Sequence, residues 1–299
     1  MSDKKTTFKD WLEYVFFKAF LLIVKLTPFT IGIWVGKALG LLAYVVLKER
    51  RELTLQNIRR AREKGFLPAA LNEKRLARQV WANLGTVGSE FLYYYTRPTA
   101  RLKKAVRFSG EDNLRRVLDK QKGAILVMGH IGNWELVGMY LAVAGYKVTP
   151  IVKTQSNILV DKIIQNNRRS VGMKVIPRRS YLRPILNAFK NNEIVPFLID
   201  QWARNKGVKV DVFGTPAPIP RGAVEFGLRT GTPVVFGYVI REKPRCYQLV
   251  ISEEIPLVKT GRDQDDVVRS TATLVGLLQD VIKKHPEQWL WMHKLWREQ

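Results

Sequence analysis

The chain has 299 residues, of which 46% are hydrophobic and 25% charged, and its net charge of +24 gives a pI near 10.2. This length suffices for one large domain, and no Pro- or Ser-rich linker and no repeat at a fixed period divides it. The single cysteine, Cys246, excludes an intramolecular disulfide framework and fits a reducing compartment.

The N-terminal region contains the most apolar segment of the chain. The residues from Phe29 to Leu47 carry one charge, Lys37, and are just numerous enough to cross a bilayer. Because a lysine near the middle of a span is costly, the segment could instead lie in the membrane interface, or form a buried helix of a soluble domain. The glycines at positions 32, 36 and 40 are spaced as for a close helix contact, although sequence bias alone would give the same spacing.

A basic segment, Lys48 to Lys64, follows directly and places the subsequent chain in the cytoplasm under the positive-inside rule. Each basic residue near an anionic leaflet contributes about 1 kcal/mol of binding, so the excess charge suits a membrane surface. A merely solvated surface and nucleic acid are the competing explanations. Since no recognisable helix-turn-helix, RRM or zinc module is present, we expect a membrane and no nucleic acid as the partner.

The most informative segment follows a short apolar run, Ala124 to Met128, that predicts a buried strand. Asn133 is a suitable N-cap for a helix beginning at Trp134. His130 then lies at the carboxyl edge of the sheet, and Glu135 lies in the first helical turn, where the dipole favours a carboxylate. Such a glutamate can orient the imidazole and leave its second nitrogen free to accept a proton, so we predict a general-base dyad.

The rest of the chain alternates between strand and helix patterns. Apolar runs predict strands at 147–152, 173–176, 194–199, 233–240 and 247–252, and amphipathic runs predict helices near 157–171, 180–191, 221–230 and 265–284. The last two strands are close enough in sequence for an antiparallel hairpin. These elements predict an α/β fold with a mostly parallel central sheet flanked by helices.

Several segments carry a resemblance to known enzymes. GHIGNWE, Gly129 to Glu135, resembles the H-x4-D/E motif of glycerolipid acyltransferases, in the form seen in the bacterial lipid A late acyltransferase family, the lauroyl and myristoyl acyltransferase type. Four other segments resemble motifs of the same family, and the matches run from about residue 15 to the end: RRELTLQNIRRA, LIDQ, VFGTPAPIPRG and HPEQWLWMHKLWRE.

The resemblance implies a glycerolipid acyltransferase-like fold and a membrane-associated O-acyltransferase. Such an enzyme moves a fatty acyl chain from an acyl carrier protein or acyl-CoA to a hydroxyl of a lipid A precursor or related anionic glycolipid. We expect no cofactor, and we expect no metal because the other two histidines, His285 and His293, lie near the C-terminus and no H-E-x-x-H helix is present. It would work at the cytoplasmic face of the bacterial inner membrane, with residues 1–47 as a membrane-associated segment and residues 48–299 as the catalytic domain. One alternative is acylation of a phosphatidylinositol mannoside by acyl-CoA; another is a non-catalytic basic protein that binds membranes or nucleic acid.

Two adjacent arginines, Arg168 and Arg169, end a helix-like run. Arg169 matches the position where the family carries a basic residue before a glycine, and it could clamp an anionic group of the acceptor or donor in a bidentate manner. The competing interpretation is a cation that stabilises the helix C-terminus. We expect Arg169 to face the site.

Four further residues are candidates for substrate binding near the same sheet edge. Asp200 follows a strand and could orient the acceptor hydroxyl, brace Arg169, or simply cap the strand; Gln201 could donate or accept beside it. Arg221 and Gly222 open a predicted helix and could approach a phosphate or the thioester carbonyl through their backbone N–H groups.

Lys153 and Asn157 resemble the basic residue and the N-P segment of the family, and they complete the predicted substrate-binding set. Ile158 stands where the family has proline, which puts the local backbone in doubt. Near the C-terminus, we interpret His293 as structural because no carboxylate partner is visible in the sequence. Trp289, Trp291 and Trp296 are expected to pack in the core rather than form an interfacial belt.

Overall fold

The computed structural model describes residues 6–97, 99–178, 182–203 and 206–296. The helices are α1 (Phe8–Leu26), α2 (Phe29–Val46), α3 (Lys48–Glu63), α4 (Glu73–Tyr95), α5 (Ala100–Ala105), α6 (Glu111–Leu118), α7 (Trp134–Val143), α8 (Ile158–Ser170), α9 (Leu182–Lys190), α10 (Gly222–Thr230) and α11 (Asp263–Lys284). The strands are β1 (Val106–Ser109), β2 (Ala124–Met128), β3 (Ile151–Val152), β4 (Ile176–Pro177), β5 (Ile194–Leu198), β6 (Gly207–Val212), β7 (Thr215–Pro220), β8 (Val234–Lys243) and β9 (Cys246–Glu254).

Five strands form the central sheet, in the order β1-β9-β8-β2-β5. The pairs β1/β9, β8/β2 and β2/β5 are parallel, and β8/β9 is antiparallel. This confirms the mostly parallel sheet and the antiparallel hairpin predicted from the sequence. Both hairpin strands are longer than predicted, so only Pro244 and Arg245 connect them.

The short strands outside the central sheet differ from the prediction. The runs at 147–152 and 173–176 contribute only the two-residue strands β3 and β4, which pair with each other in a separate sheet. An antiparallel hairpin, β6/β7, forms a third sheet that the sequence analysis missed. Three prolines in TPAPIP obscure its strand pattern, because proline is ordinarily restricted to edge strands.

The register of β2 against β5 determines which side chains meet at the sheet edge. Met128 lies opposite Leu198 at the end of this parallel pair. His130 and Asp200 each follow two residues later, so both chains deliver a polar side chain to the same place. The carboxyl ends of strands in open α/β sheets are where ligands bind.

Helices cover both faces of the sheet because β2 is apolar on both sides. Ile125 and Val127 belong to one core cluster, with residues of α10 and α11, while Leu126 and Met128 belong to another, with residues of α4 and α7. All the residues of β2 are buried. The central strand is thus fixed on both faces, which gives the loop after it a rigid base.

The glycines of α2 allow it to lie directly against α4. A Cβ on Gly40 would lie 2.1 Å from the carbonyl oxygen of Trp81, and one on Gly85 would lie 1.9 Å from that of Gly36. The predicted close helix contact is therefore confirmed. It forms within the chain, between the N-terminal segment and the helix that supports the site.

The opposite side of the N-terminal helices is apolar and exposed. Helix α2 is long and apolar enough to cross a membrane, yet one of its faces is packed on α4. The exposed apolar face of α1 and α2 consists of Phe8, Trp11, Leu12, Val15, Phe16, Leu22, Ile23, Leu26, Ile31, Trp34, Leu39, Leu41, Leu42, Val45 and Val46. Lys37 is exposed as well. The boundary expected at residue 47 falls between α2 and α3 and stays a prediction.

Candidate active site

His130 is held by the carboxylate of Asp200 at two points. Its ring Nδ1 lies 2.7 Å from Oδ1, and its backbone N–H donates to Oδ2 at 2.6 Å. The His130 side chain is 12% exposed and that of Asp200 is 3% exposed. The pair is therefore nearly enclosed, while the imidazole retains a small accessible surface.

A third donor completes the environment of Asp200. The indole Nε1–H of Trp289 donates to Oδ2 at 2.9 Å. Burial opposes ionisation of this carboxyl, but the His130 ring and the hydrogen bonds from His130 and Trp289 outweigh it, so the pKa of Asp200 lies below its usual value. An ionised Asp200 accepts from Nδ1–H of His130 and leaves Nε2 as the basic nitrogen of the neutral ring.

Glu135 lies elsewhere than the sequence analysis expected. The orienting partner of His130 is Asp200, whereas Glu135 accepts from Nη2 of Arg168 at 2.6 Å and from its Nε at 3.3 Å. The reason is geometric: Asp200 follows the parallel strand next to β2, while Glu135 projects from the first turn of α7 toward α8. The catalytic role of Glu135 itself stays a prediction.

The two arginines lie in different surroundings, and the substrate-binding role expected of Arg169 stays a prediction. Arg168 is the one that pairs with Glu135, its side chain only 12% exposed, whereas Arg169 is exposed. Adjacent helical residues point about 100° apart, so only one of the two can face α7. Burial lowers the pKa of Arg168, but the neighbouring Glu135 raises it by more. The guanidinium therefore stays charged.

Gln201 joins two histidines. Its side-chain nitrogen lies 3.1 Å from Nε2 of His130 and 3.0 Å from Nε2 of His293. The two imidazole rings have centroids 5.6 Å apart. Sequence reasoning placed Gln201 correctly beside the site but treated His293 as structural, so this contact was missed. The available signal was that His293 closes the family-like segment PEQWLWMH.

The segment that carries His293 is hydrogen-bonded to α3 and to the loop between β2 and α7, which bears His130. Ile131 and Trp289 form an antiparallel bridge, and the backbone N–H of Leu290 donates to the carbonyl of His130 at 3.1 Å. From α3, the buried amide of Asn57 donates to the carbonyls of Trp291 and His293 at 2.7 and 2.9 Å. Two separate family-like segments, RRELTLQNIRRA and PEQWLWMH, thus meet beside His130.

The three C-terminal tryptophans are buried, as expected. Trp289, Trp291 and Trp296 have exposures of 3%, 0% and 7%. Their rings surround Phe213, which stacks on Trp291 with ring centroids 5.5 Å apart. Packing of these indoles, rather than contact with lipid, therefore fixes the segment that bears His293.

A buried ion pair supports the loop between His130 and α7. Glu90 on α4, with no side-chain exposure, binds the guanidinium of Arg241 from β8 through two hydrogen bonds. It also accepts from the side chain of Asn133 at 3.0 Å. Asn133 does occupy the N-cap position, but its amide binds Glu90 and the carbonyl of Val87 instead of capping α7. The loop is therefore anchored to α4.

The remaining predicted substrate residues have local contacts. Asn157 is buried, caps α8 by accepting from Leu159 and Val160, and donates to Asp10 and Glu13 of α1. Its side chain therefore has a structural use that the sequence did not reveal. The predicted substrate-binding role of Lys153, which is exposed beyond β3, stays a prediction.

Arg221 and Gly222 do open a helix, as expected. Arg221 occupies the N-cap position of α10 and forms an ion pair with Glu225 at 2.8 Å, and Gly222 is the first residue of that helix. The Arg221 guanidinium is therefore paired with a carboxylate of its own helix. Approach of the α10 backbone to a phosphate stays a prediction.

The fold and site define an α/β enzyme with an Asp-oriented histidine at the carboxyl edge of a mostly parallel sheet. Within the described ranges, no group of three His, Cys, Asp or Glu side chains could hold a metal ion. The chain belongs to the bacterial lipid A biosynthesis acyltransferase family, whose model matches residues 2–298. It is therefore an acyltransferase, and the alternative of a non-catalytic binding protein is set aside.

Curated relatives divide between two kinds of acceptor. The chain is 26% identical over 246 residues to a phosphatidylinositol mannoside acyltransferase of Mycobacterium tuberculosis, covering 79% of this chain and 74% of the relative. It is 24% identical over 288 residues to the lipid A biosynthesis palmitoleoyltransferase of Escherichia coli, covering 95% and 90%. The lipid A biosynthesis lauroyltransferase of Escherichia coli is 22% identical over 290 residues, covering 95% and 90%.

Proposed function

We propose that this protein transfers a fatty acyl chain from an acyl thioester to a hydroxyl of an anionic glycolipid of the lipid A precursor class. The donor is an acyl carrier protein or acyl-CoA, and His130 is the general base. The observation that carries the proposal is the 2.7 Å contact between Nδ1 of His130 and Asp200, because it leaves Nε2 as the proton acceptor.

The chemistry requires no covalent intermediate on the enzyme. Nε2 of His130 takes the proton of the acceptor hydroxyl while the hydroxyl oxygen forms a bond to the thioester carbonyl carbon. The C–S bond then breaks, and the proton on Nε2 passes to the leaving thiolate. Asp200 remains ionised throughout and stabilises the imidazolium that forms between these two proton transfers.

Glu135 and Arg168 are proposed to position the acceptor. Their bidentate pair joins α7 to α8 beside the catalytic loop and fixes both side chains. A guanidinium held in this way keeps its charge close to the site, where an anionic headgroup would be attracted. We assign this role to Arg168 in place of the exposed Arg169.

We further propose that the exposed apolar face of α1 and α2 lies in the membrane interface. The packing of α2 on α4 supports an interfacial orientation over a membrane-spanning one, because a single helix face is left for lipid. The net charge of +24 favours an anionic leaflet. The proposed location is the cytoplasmic face of the bacterial inner membrane.

Acylation of a phosphatidylinositol mannoside by acyl-CoA is the second candidate function. The resemblance to the mycobacterial relative, at 26% identity, favours it. Both functions use the same acyl transfer to a hydroxyl of an anionic glycolipid, so His130 and Asp200 would have the same roles.

A reconstituted assay tests the proposal. The purified chain is mixed with vesicles that contain either a lipid A precursor or a phosphatidylinositol mannoside, and with acyl carrier protein or CoA thioesters. Mass spectrometry then detects the acylated lipid. We expect one acceptor to gain an ester-linked chain, and we expect His130→Ala to reduce the rate by about 10²–10⁴-fold. Transfer by His130→Ala at wild-type rates would refute the assignment of the base.

A further inference from the structure

The amide of Gln201 occupies the position on His130 where an acceptor hydroxyl would have to bind. Its nitrogen lies 3.1 Å from Nε2, the atom that must accept the proton, and 3.0 Å from Nε2 of His293. One primary amide nitrogen carries two hydrogens, enough for both contacts. The contact with His293 links the base to a residue 163 positions away in the chain.

The hydrogen-bond directions follow from the carboxylate. Nδ1 of His130 faces the ionised Asp200 and therefore carries the hydrogen, so Nε2 of the neutral ring has only a lone pair. The group facing that lone pair must donate. This assigns the nitrogen, rather than the oxygen, of the Gln201 amide to the site between the rings. The second N–H then donates to Nε2 of His293, which must also be an acceptor.

His293 has the surroundings of a neutral acceptor. Burial, the nearby His130 and Arg50 of α3 lower the pKa of His293 to about 4, although Asp200 acts in the opposite direction. The ring is therefore uncharged at neutral pH. Its backbone is fixed by Asn57, so the acceptor nitrogen has a defined position.

We propose, on the basis of the function above, that Gln201 and His293 are positioning residues for the base: the Gln201 amide holds both rings in the Nδ1–H tautomer and yields its place on His130 to the acceptor hydroxyl, while His293 retains the displaced amide. The N–H that leaves His130 then faces the incoming oxygen and orients it. In the empty enzyme the same contact keeps the basic nitrogen hydrogen-bonded.

Nitrogen NMR of histidine tests the arrangement without any substrate. The chain has only three histidines, His130, His285 and His293, so a sample labelled in histidine nitrogen gives three ring systems. At pH 7 we expect His293 to be protonated at Nδ1 and unprotonated at Nε2, and we expect the neutral form of His130 to have the same tautomer. His285, at the end of α11, reports on folding. A protonated Nε2 on His293 at this pH would overturn the proposal.

Gln201→Ala removes the bridge and is read in the same spectrum. We expect His293 to lose its single tautomer, because its Nε2 has lost the donor, while the His285 signals stay unchanged. Retention of the same tautomer by His293 in this variant would contradict the role given to Gln201. Since no acyl transfer is measured, this result is independent of the proposed reaction.

Kinetics then test the link to the base. Gln201→Glu places a carboxylate between the rings and favours their protonated forms, so the acidic limb of the kcat/KM profile should move to higher pH by about one unit or more. The charged groups facing the rings are otherwise the same: Asp200 after β5 and Arg50 on α3. An unchanged limb would overturn the proposal.

His293→Phe removes the second acceptor, and His285→Phe is its matched control. We expect His293→Phe to lower kcat about tenfold, the value of one hydrogen bond, with KM for the thioester unchanged. A loss confined to KM, or equal effects of the two substitutions, would refute the positioning role. If His130→Ala retained full activity, the proposed base would fail, whereas the NMR result for Gln201 would still stand.

Discussion

Glu135 and Arg168 form a bidentate ion pair that connects the first turn of α7 to the last turn of α8. The loop bearing His130 precedes α7, and α8 contacts the N-terminal helix α1 through Asn157. The pair therefore lies between the loop that bears His130 and the helix whose outer face is apolar. Breaking it should disturb the acceptor side of the site before it disturbs the sheet.

We expect Arg168→Lys to reduce acyl transfer by at least about tenfold, because lysine keeps the charge but cannot form the bidentate contact with Glu135. Arg169→Lys is the matched control on the exposed neighbour and should stay within about twofold of wild type. Initial rates at saturating thioester give the comparison. Equal losses in both variants would mean that the two arginines act only as a diffuse basic patch.

Asp200→Asn should lower kcat by about 10²–10⁴-fold, because a neutral amide neither fixes the Nδ1–H tautomer nor stabilises the imidazolium. KM for the thioester should change little. Asp211→Asn, at an exposed position near the end of β6, is the control for loss of a carboxylate. If Asp200→Asn turned over at the rate of Asp211→Asn, the charge of Asp200 would have no part in the reaction.

Substitutions at two glycines of α4 should change stability in opposite directions. Gly85→Ala puts a methyl group 1.9 Å from the carbonyl oxygen of Gly36, so α2 must shift, and we expect a loss of about 1–3 kcal/mol in unfolding free energy. Gly88→Ala meets no atom within 4 Å and should raise stability by up to about 1 kcal/mol through helix propensity. Thermal melts in detergent compare them. The same melting temperature for both would mean that α2 and α4 are not in close contact.

Membrane binding should depend on the exposed apolar face of α1 and α2. Trp34→Glu with Leu42→Glu replaces two exposed apolar side chains by charges, and we expect at least a tenfold weaker partition into anionic vesicles, since each buried side chain contributes about 1.5–3 kcal/mol. Leu182→Glu, on α9, is the control. Sedimentation with vesicles measures both, and equal partition of the double variant and control would place the membrane contact elsewhere.

The lowered pKa of His293 makes the folded protein less stable as the pH falls. Its pKa falls from 6.5 when unfolded to about 4 in the fold, so the unfolded chain binds a proton more readily. The contribution of this pKa difference to the unfolding free energy is fully present above pH 6.5 and is lost as the pH drops toward 4. The unfolding free energy of wild type should therefore decrease over that range more steeply than that of His293→Phe. Parallel curves for the two proteins would show that His293 is not a buried neutral ring.

Local sequence patterns predicted much of the frame around the site. Strand β2 has the predicted bounds, and α7 begins at Trp134, because both depend on short-range apolar pattern and helix geometry. The meeting of His130 with Asp200 was partly visible, since both follow strands and parallel strands end at one edge. Their direct hydrogen bond required the register of β2 against β5, which is a long-range property.

The differences between the expected and the observed contacts concern side-chain direction. Nothing in the order of residues distinguishes Arg168 from Arg169 without the rotation of α8, and Glu135 was assigned to His130 because the two are close in sequence. Asn133 was expected to cap α7, but its NH2 group donates to the buried carboxylate of Glu90, and its side-chain oxygen accepts no hydrogen bond from the helix. His293 was missed because its partner, Gln201, lies on a distant strand end.

The hydrogen bond from Asn57 to the carbonyl of His293 joins residues 236 positions apart in the chain. This separation affects when the enzyme can first be active. During synthesis, α3 emerges long before the segment that carries His293. Contacts of such long separation form late and slow folding. A nascent chain would therefore remain catalytically silent until the segment with His293 has emerged and packed against α3.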